Sequence, residues 1–329
     1  LFRSEKEPRI DVLGADESEA GEIQRPVYLD HNATTPVAAP VLEAMWPYLN
    51  RHFGNPSSGH VYGRRAKEAV DRARQEVAEF LGCEPQEVVF TSGGTESNNL
   101  AIRGIAAVTA PGRVITSTVE HPATAVPCWA LEEAGFDVVR VPVDSAGRIS
   151  IQEVAEALSQ DTRLVTVMLA NNETGTLMPI EEVAQLVATP QRLGGVLVHV
   201  DAAQAVGKIP IDVKKMGVHL LSVAGHKLYA PKGVGALYVR SGTPLMPFLL
   251  GAGHEGGLRP GTENVAGIVG LGCACKMAGR DLEKERSRVQ GLRDELWARL
   301  REAIPDLLLN GHPQSRLPNT LNVGFPGVR

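Results

Sequence analysis

Lys227 stands between a histidine and a Gly/Pro-rich turn in SVAGHKLYAPKGVGALYVR, and Asp201 closes the apolar run VLVHVD upstream of it. A lysine can hold an aldehyde as a Schiff base, and a carboxylate can keep a pyridine nitrogen protonated. Pyridoxal phosphate needs both at one site. Alone, each residue has an ordinary meaning: a surface lysine after a strand, an aspartate capping a helix. Their weight comes from the company they keep. TSGGTES passes from strand to helix through two glycines, so backbone N–H groups at Gly94 and the Thr95 hydroxyl form a seat for a phosphate. It is not a Walker loop, because GxxxxGK[ST] is absent. VEHPAT puts His121 at a strand end with Pro122 opening a helix, where an imidazole can stack on a flat ring and pass protons. Gln204 and Asn172 are placed to reach the ring's phenolic oxygen, and Asn172 could instead hold a substrate carboxylate.

These residues need a frame. From about Val88 to Arg240, short apolar runs alternate with helical stretches. The runs are VVF, VITSTVE, VVRVPV, RLVTVMLA, VLVHVD, LLSVAG and GALYVR; a helix is expected near Ile151 to Leu158 and another at PIEEVAQLVAT. This rhythm predicts an α/β fold with a mostly parallel sheet flanked by helices. Ligands in such sheets gather at the carboxyl ends of strands, where Gly94, Thr95, His121, Asn172 and Asp201 all fall. Before the core, two helices are expected in APVLEAMWPYLNRHF and YGRRAKEAVDRARQEVAEFLG, joined by GNPSSGH. After it come a small-residue buried helix in GIVGLGCACKMAG and a separate long charged helix in DLEKERSRVQGLRDELWARLREA, then a strand in LPNTLNVGFPGVR. The expected organisation is a polar N-terminal extension (1–24), a large domain (37–264), and a smaller α+β domain (25–36 with 265–329) that stops short of completion.

The bulk numbers exclude other classes. With 43% hydrophobic and 22% charged residues, the 329-residue chain is normal for a globular protein. A net charge of −5 without a basic cluster argues against nucleic acid as principal partner. No apolar stretch approaches the roughly 20 residues that cross a bilayer, and the N-terminus has no secretory h-region. The four cysteines form no CxxC pair and the nine histidines are scattered, so no metal is expected. Cysteine usage fits a reducing, cytoplasmic or organellar-matrix compartment.

LDHNATTP, GNPSS, TSGGTESNNLAI, EHPA, LANNETG, VDAAQAVGK, GHKLYAPKGVGALYVR and LRPGTEN together resemble the cysteine desulfurase and selenocysteine lyase family of fold-type I pyridoxal phosphate enzymes. The likeness runs from about Val27 to Arg329. It implies a seven-stranded-type sheet and the cofactor pyridoxal 5′-phosphate. It implies that Lys227 carries the Schiff base and removes the substrate α-proton, Asp201 partners the pyridinium nitrogen, Gln204 the ring oxygen, and His121 stacks on the ring. Gly94, Thr95 and His226 would contact the phosphate. Thr262 would reach the phosphate of a neighbouring subunit in a homodimer, and Asn172 and Asn32 would bind substrate. The implied reaction converts L-cysteine to L-alanine and passes sulfur as a persulfide, for iron–sulfur or other sulfur assembly, to an acceptor protein.

Two departures bear on activity. Ala224 occupies a position where many family members have a phosphate-binding serine, though the selenocysteine lyase relatives also carry an apolar residue there. The family's nucleophilic cysteine lies beyond the NTLNVGFPGV strand, past Arg329, and none of Cys83, Cys128, Cys273 or Cys275 aligns with it. Selenocysteine lyase action on L-selenocysteine, and an inactive cofactor-binding fragment, are the alternative expectations.

Overall fold

The structure is a computed structural model that describes residues 26–188 and 195–328; the expected extension at 1–24 lies outside them. Its strands form where runs of Val, Leu and Ile can be covered on both faces: β1 (Val88–Thr91), β2 (Arg113–Ser117), β3 (Asp137–Val141), β4 (Thr162–Met168), β5 (Leu197–Asp201), β6 (Leu220–Ala224) and β7 (Gly235–Val239). Every residue of β1, β5, β6 and β7 is buried. Continuous apolar runs of this kind are what a doubly covered sheet requires.

In space the strands run β1-β7-β6-β5-β4-β2-β3. The pairs β2–β3, β2–β4, β4–β5 and β5–β6 are parallel. Only β7 runs against its neighbours, β1 and β6. The carboxyl ends of β1, β2, β4, β5 and β6 therefore share one edge. Side chains alternate between two cores. Val114, Leu164, Leu197 and Leu220 pack on one face with Leu100, Ile105 and Leu131, from helices α3 (Gly94–Ala106) and α4 (Pro122–Glu133). Their neighbours Ile115, Val165, Val198 and Leu221 belong to the other core. That core takes in residues of α1 (Ala39–Asn50), α2 (Val61–Leu81), α5 (Ile151–Ala157), α6 (Ile180–Val187), α7 (Val213–Met216) and α8 (Val265–Ala303).

The α/β architecture is as the sequence rhythm predicts. One expectation is corrected: the small-residue helix and the charged helix are a single helix of 39 residues, α8. No proline interrupts the sequence, so a change from buried to exposed faces does not require a break. The small residues serve packing instead. A Cβ on Gly272 would lie 2.7 Å from the Cα of Ala73, which lets α8 close on α2. Beyond α8, β8 (Leu308–Asn310) and β9 (Asn322–Gly324) form a separate antiparallel pair. No helix among the described residues is long and apolar enough to cross a membrane.

Candidate functional site

Each strand end on the shared edge delivers a polar side chain through the loop that follows it. Gly94, Thr95, His121, Asn172, Asp201, Gln204, His226 and Lys227 line one cleft, with Asn98 and Ala224 beside them. The cleft adjoins a cavity of about 750 Å³, and Lys227 and Asn172 line both. Asn32 faces the cavity rather than the cleft. Thr262 is exposed and lines neither.

Asp201 is buried at the end of β5. Its Oδ2 accepts from Asn98 Nδ2 at 2.7 Å and its Oδ1 from the Ala203 N–H at 2.9 Å. The two donors fix the carboxylate's orientation at the strand end. Lys227 lies in the single turn Gly225–Lys227 after β6. Its Nζ donates to the Asn32 carbonyl. Burial holds the Lys227 ammonium below the ordinary lysine range, against the pull of Asp201, Asp30 and Glu173. His121 caps α4, its Nδ1 accepting from the Ala123 N–H at 3.1 Å. A neutral His121 ring therefore carries its proton on Nε2. His226 bonds Thr34 Oγ1 through Nδ1 at 3.1 Å; burial and the neighbouring Lys227 and Lys232 lower its pKa.

At the start of α3, Gly93 adopts φ +148°, a conformation that favours glycine, and no side chain caps the helix. The carboxylate of Glu96, in the first turn, is turned aside to the Ser92 N–H and Arg259 Nε. The first amides and the Thr95 hydroxyl are thus left to an anion.

Asn32 is a knot. Its carbonyl accepts from Lys227 and from Gln204 Nε2, the latter at 2.9 Å. Its side chain bonds Thr320 Oγ1 and Asn319 Nδ2, each at 3.0 Å. Three further residues shape the site and were not singled out from sequence. Asn98 sits one turn beyond Gly94 on α3, a spacing that could have flagged it. Glu120, next to His121, accepts from Ser117 Oγ at 2.5 Å and from the Met168 N–H at 3.0 Å, and burial, with Asp201 adding to it, pushes it up to about 8. Lys208 donates to Gln204 Oε1 at 2.9 Å; burial first, then Lys227, lowers it to about 7. Nothing in a lone Glu or Lys reveals such surroundings before folding.

The family model for aminotransferase class-V matches residues 27–329. The chain belongs to this family. The cysteine desulfurase IscS of Dictyoglomus turgidum is 46% identical over 308 residues, covering 93% of this chain and 77% of the relative. The cysteine desulfurase NifS of Azotobacter vinelandii is 48% identical over 303 residues, covering 91% and 74%. Among solved structures, a NifS-like protein superposes with a TM-score of 0.88 at 40% identity, covering 93% of this chain and 83% of the other. SspA in complex with cysteine superposes with a TM-score of 0.73 at 44% identity, covering 76% and 72%. Members of this family use pyridoxal phosphate, and the donor set fits it. A carboxylate braced by two donors, an amine held below its usual range and an uncapped helix start converge on one cleft.

Proposed function

We propose that the chain is a pyridoxal phosphate-dependent cysteine desulfurase that forms L-alanine from L-cysteine and releases its sulfur to a thiol, for iron–sulfur or other sulfur assembly. The observation that carries this reading is the convergence of Lys227, Asp201, His121 and Gln204 on the cleft beside the start of α3. Lys227, Asp201, Gln204, His226, Gly94 and Thr95 would hold the cofactor, which when bound supplies an electron sink for breaking bonds at the substrate Cα. Lys227 Nζ serves as the base for the α-proton, because burial favours its neutral amine. Asp201, oriented by Asn98 and Ala203, would partner the ring nitrogen. His121 offers Nε2–H for proton transfer, since its Nδ1 is committed to Ala123. Asn172 and Asn32, which line the cavity, would bind the substrate carboxylate.

The sulfur acceptor is a thiol other than Cys83, Cys128, Cys273 and Cys275. None of them lines the cleft or the cavity, and burial raises all four, Cys83 and Cys128 to about 12. A thiol needs its thiolate form to attack sulfur. The assembly proposed is a homodimer with Thr262 reaching the neighbouring phosphate. Its support is the exposure of Thr262 on a loop that Arg259 ties to Glu96 near the start of α3. Selenocysteine lyase action is not favoured, because the curated relatives named above are cysteine desulfurases.

The test is alanine formation by protein loaded with pyridoxal phosphate, given L-cysteine and an excess of dithiothreitol as acceptor. Alanine with matching sulfide supports the proposal. Alanine from L-selenocysteine alone would replace it with the lyase reading.

A further inference from the structure

Resting on the cofactor reading above, we propose that Lys208 is a positioning residue for the cofactor's ring oxygen, acting through the side chain of Gln204. Lys208 Nζ lies 2.9 Å from Gln204 Oε1. In its ammonium form Lys208 has donors only, and it then accepts one orientation of the amide, with Oε1 toward Lys208 and the NH₂ group away from it. On that side one N–H of Gln204 donates to the Asn32 carbonyl at 2.9 Å. The second N–H is left for the cleft that Gln204 lines. Flipping the amide would set NH₂ against the ammonium and oxygen against the Asn32 carbonyl. A cation on the amide oxygen also polarises the group and makes its N–H a stronger donor to an anionic oxygen.

Stability gives no reason for a lysine here. Among the described residues no carboxylate pairs with Lys208, and its one side-chain hydrogen bond is to Gln204, itself only 6% exposed. Lys208 is partly buried and lines the cavity, and a partly desolvated cation without a counter-charge costs folding free energy. Burial lowers Lys208 to about 7, which records that cost. Such a cation is retained where its direction of donation matters.

The experiment titrates the protein with pyridoxine 5′-phosphate, which cannot condense with Lys227, and with the same compound lacking the ring hydroxyl, following ligand fluorescence. For Lys208→Met, binding of the first ligand should weaken about fivefold, while the second stays within about twofold of the unaltered protein. Lys208→Arg, whose group also only donates, should restore the difference between the ligands. Equal weakening of both would mean that Lys208 merely attracts the phosphate, and overturns the proposal. So does an unchanged affinity for both. If thermal melts show Lys208→Met unfolded, Lys208→Gln is read the same way, because its amide can turn either end to Gln204. Failure of the unaltered protein to bind either ligand would overturn the cofactor reading itself and this inference with it. Discrimination between the two ligands in Lys208→Met as strong as in the unaltered protein would sink the Lys208 role alone.

Discussion

Asn98 Nδ2 lies 2.7 Å from Asp201 Oδ2 and 3.1 Å from Thr124 Oγ1. One amide therefore ties the helix that opens on the anion seat, the carboxylate at the end of β5, and the helix that His121 caps. Asn98→Ala should cost about 1–3 kcal/mol of stability and weaken pyridoxal phosphate binding about tenfold. Urea unfolding and a cofactor titration measure the two effects. A variant matching the unaltered protein in both would show that the tie carries nothing.

Lys227→Ala should abolish the visible absorbance of protein reconstituted with pyridoxal phosphate, while the fold survives. The side chain is only half-buried and its one hydrogen bond goes to the Asn32 carbonyl, which Gln204 still satisfies. A visible band persisting in the variant, after removal of free cofactor, would take the lysine out of its role.

Glu120 makes stability depend on pH. Its folded value of about 8 stands above the ordinary 4.5, so between these values the folded chain keeps a proton that the unfolded chain has lost. Unfolding then releases a proton, and stability falls as pH rises through that window. Glu120→Gln removes this dependence. The melting temperature of the variant minus that of the unaltered protein should climb from about pH 5 to about pH 8. A difference flat across that range would show that Glu120 titrates normally.

Arg74 and Glu255 form a two-pronged pair at 2.5 and 2.8 Å, with side chains 15% and 2% exposed. Glu255 Oε2 also accepts from the Phe90 N–H on β1. Glu255→Ala should cost about 3 kcal/mol, because it strands the guanidinium away from water. Arg74→Met combined with Glu255→Ala should cost less than the two single losses added together. Strict additivity in denaturant unfolding would deny the coupling.

The sheet was readable because VLVHVD, LLSVAG and RLVTVMLA are apolar runs that only a doubly covered strand can use, and strand ends collect loop residues. Lys227, Asp201 and His121 were readable for a related reason: each follows an apolar run, with Gly225 two residues before Lys227 and Pro122 directly after His121. Asn98 and Lys208 were not. Asn98 matters through Asp201, 103 positions away in sequence, and the four-residue spacing of Lys208 to Gln204 does not by itself reveal that the amide lines the cleft. The unity of α8 was missed because composition changes along it from small and apolar to charged, while the helical hydrogen bonding continues.

That single helix has a mechanical consequence. With 39 residues it is a rod about 58 Å long at 1.5 Å per residue. Its first third is buried, clamped where Gly272 meets Ala73, whereas Asp281, Leu282 and Glu285 further along form a wall of the cavity beside Lys227. Further out, Arg293 Nη1 donates to the Leu317 carbonyl at 2.7 Å, a lighter tie than the clamp. A tilt of about 3° at the clamp would carry the last turn through about 2 Å, with proportionately smaller travel at the cavity wall. Whatever grips the distal turns of α8 thus has leverage on the width of the cavity beside Lys227.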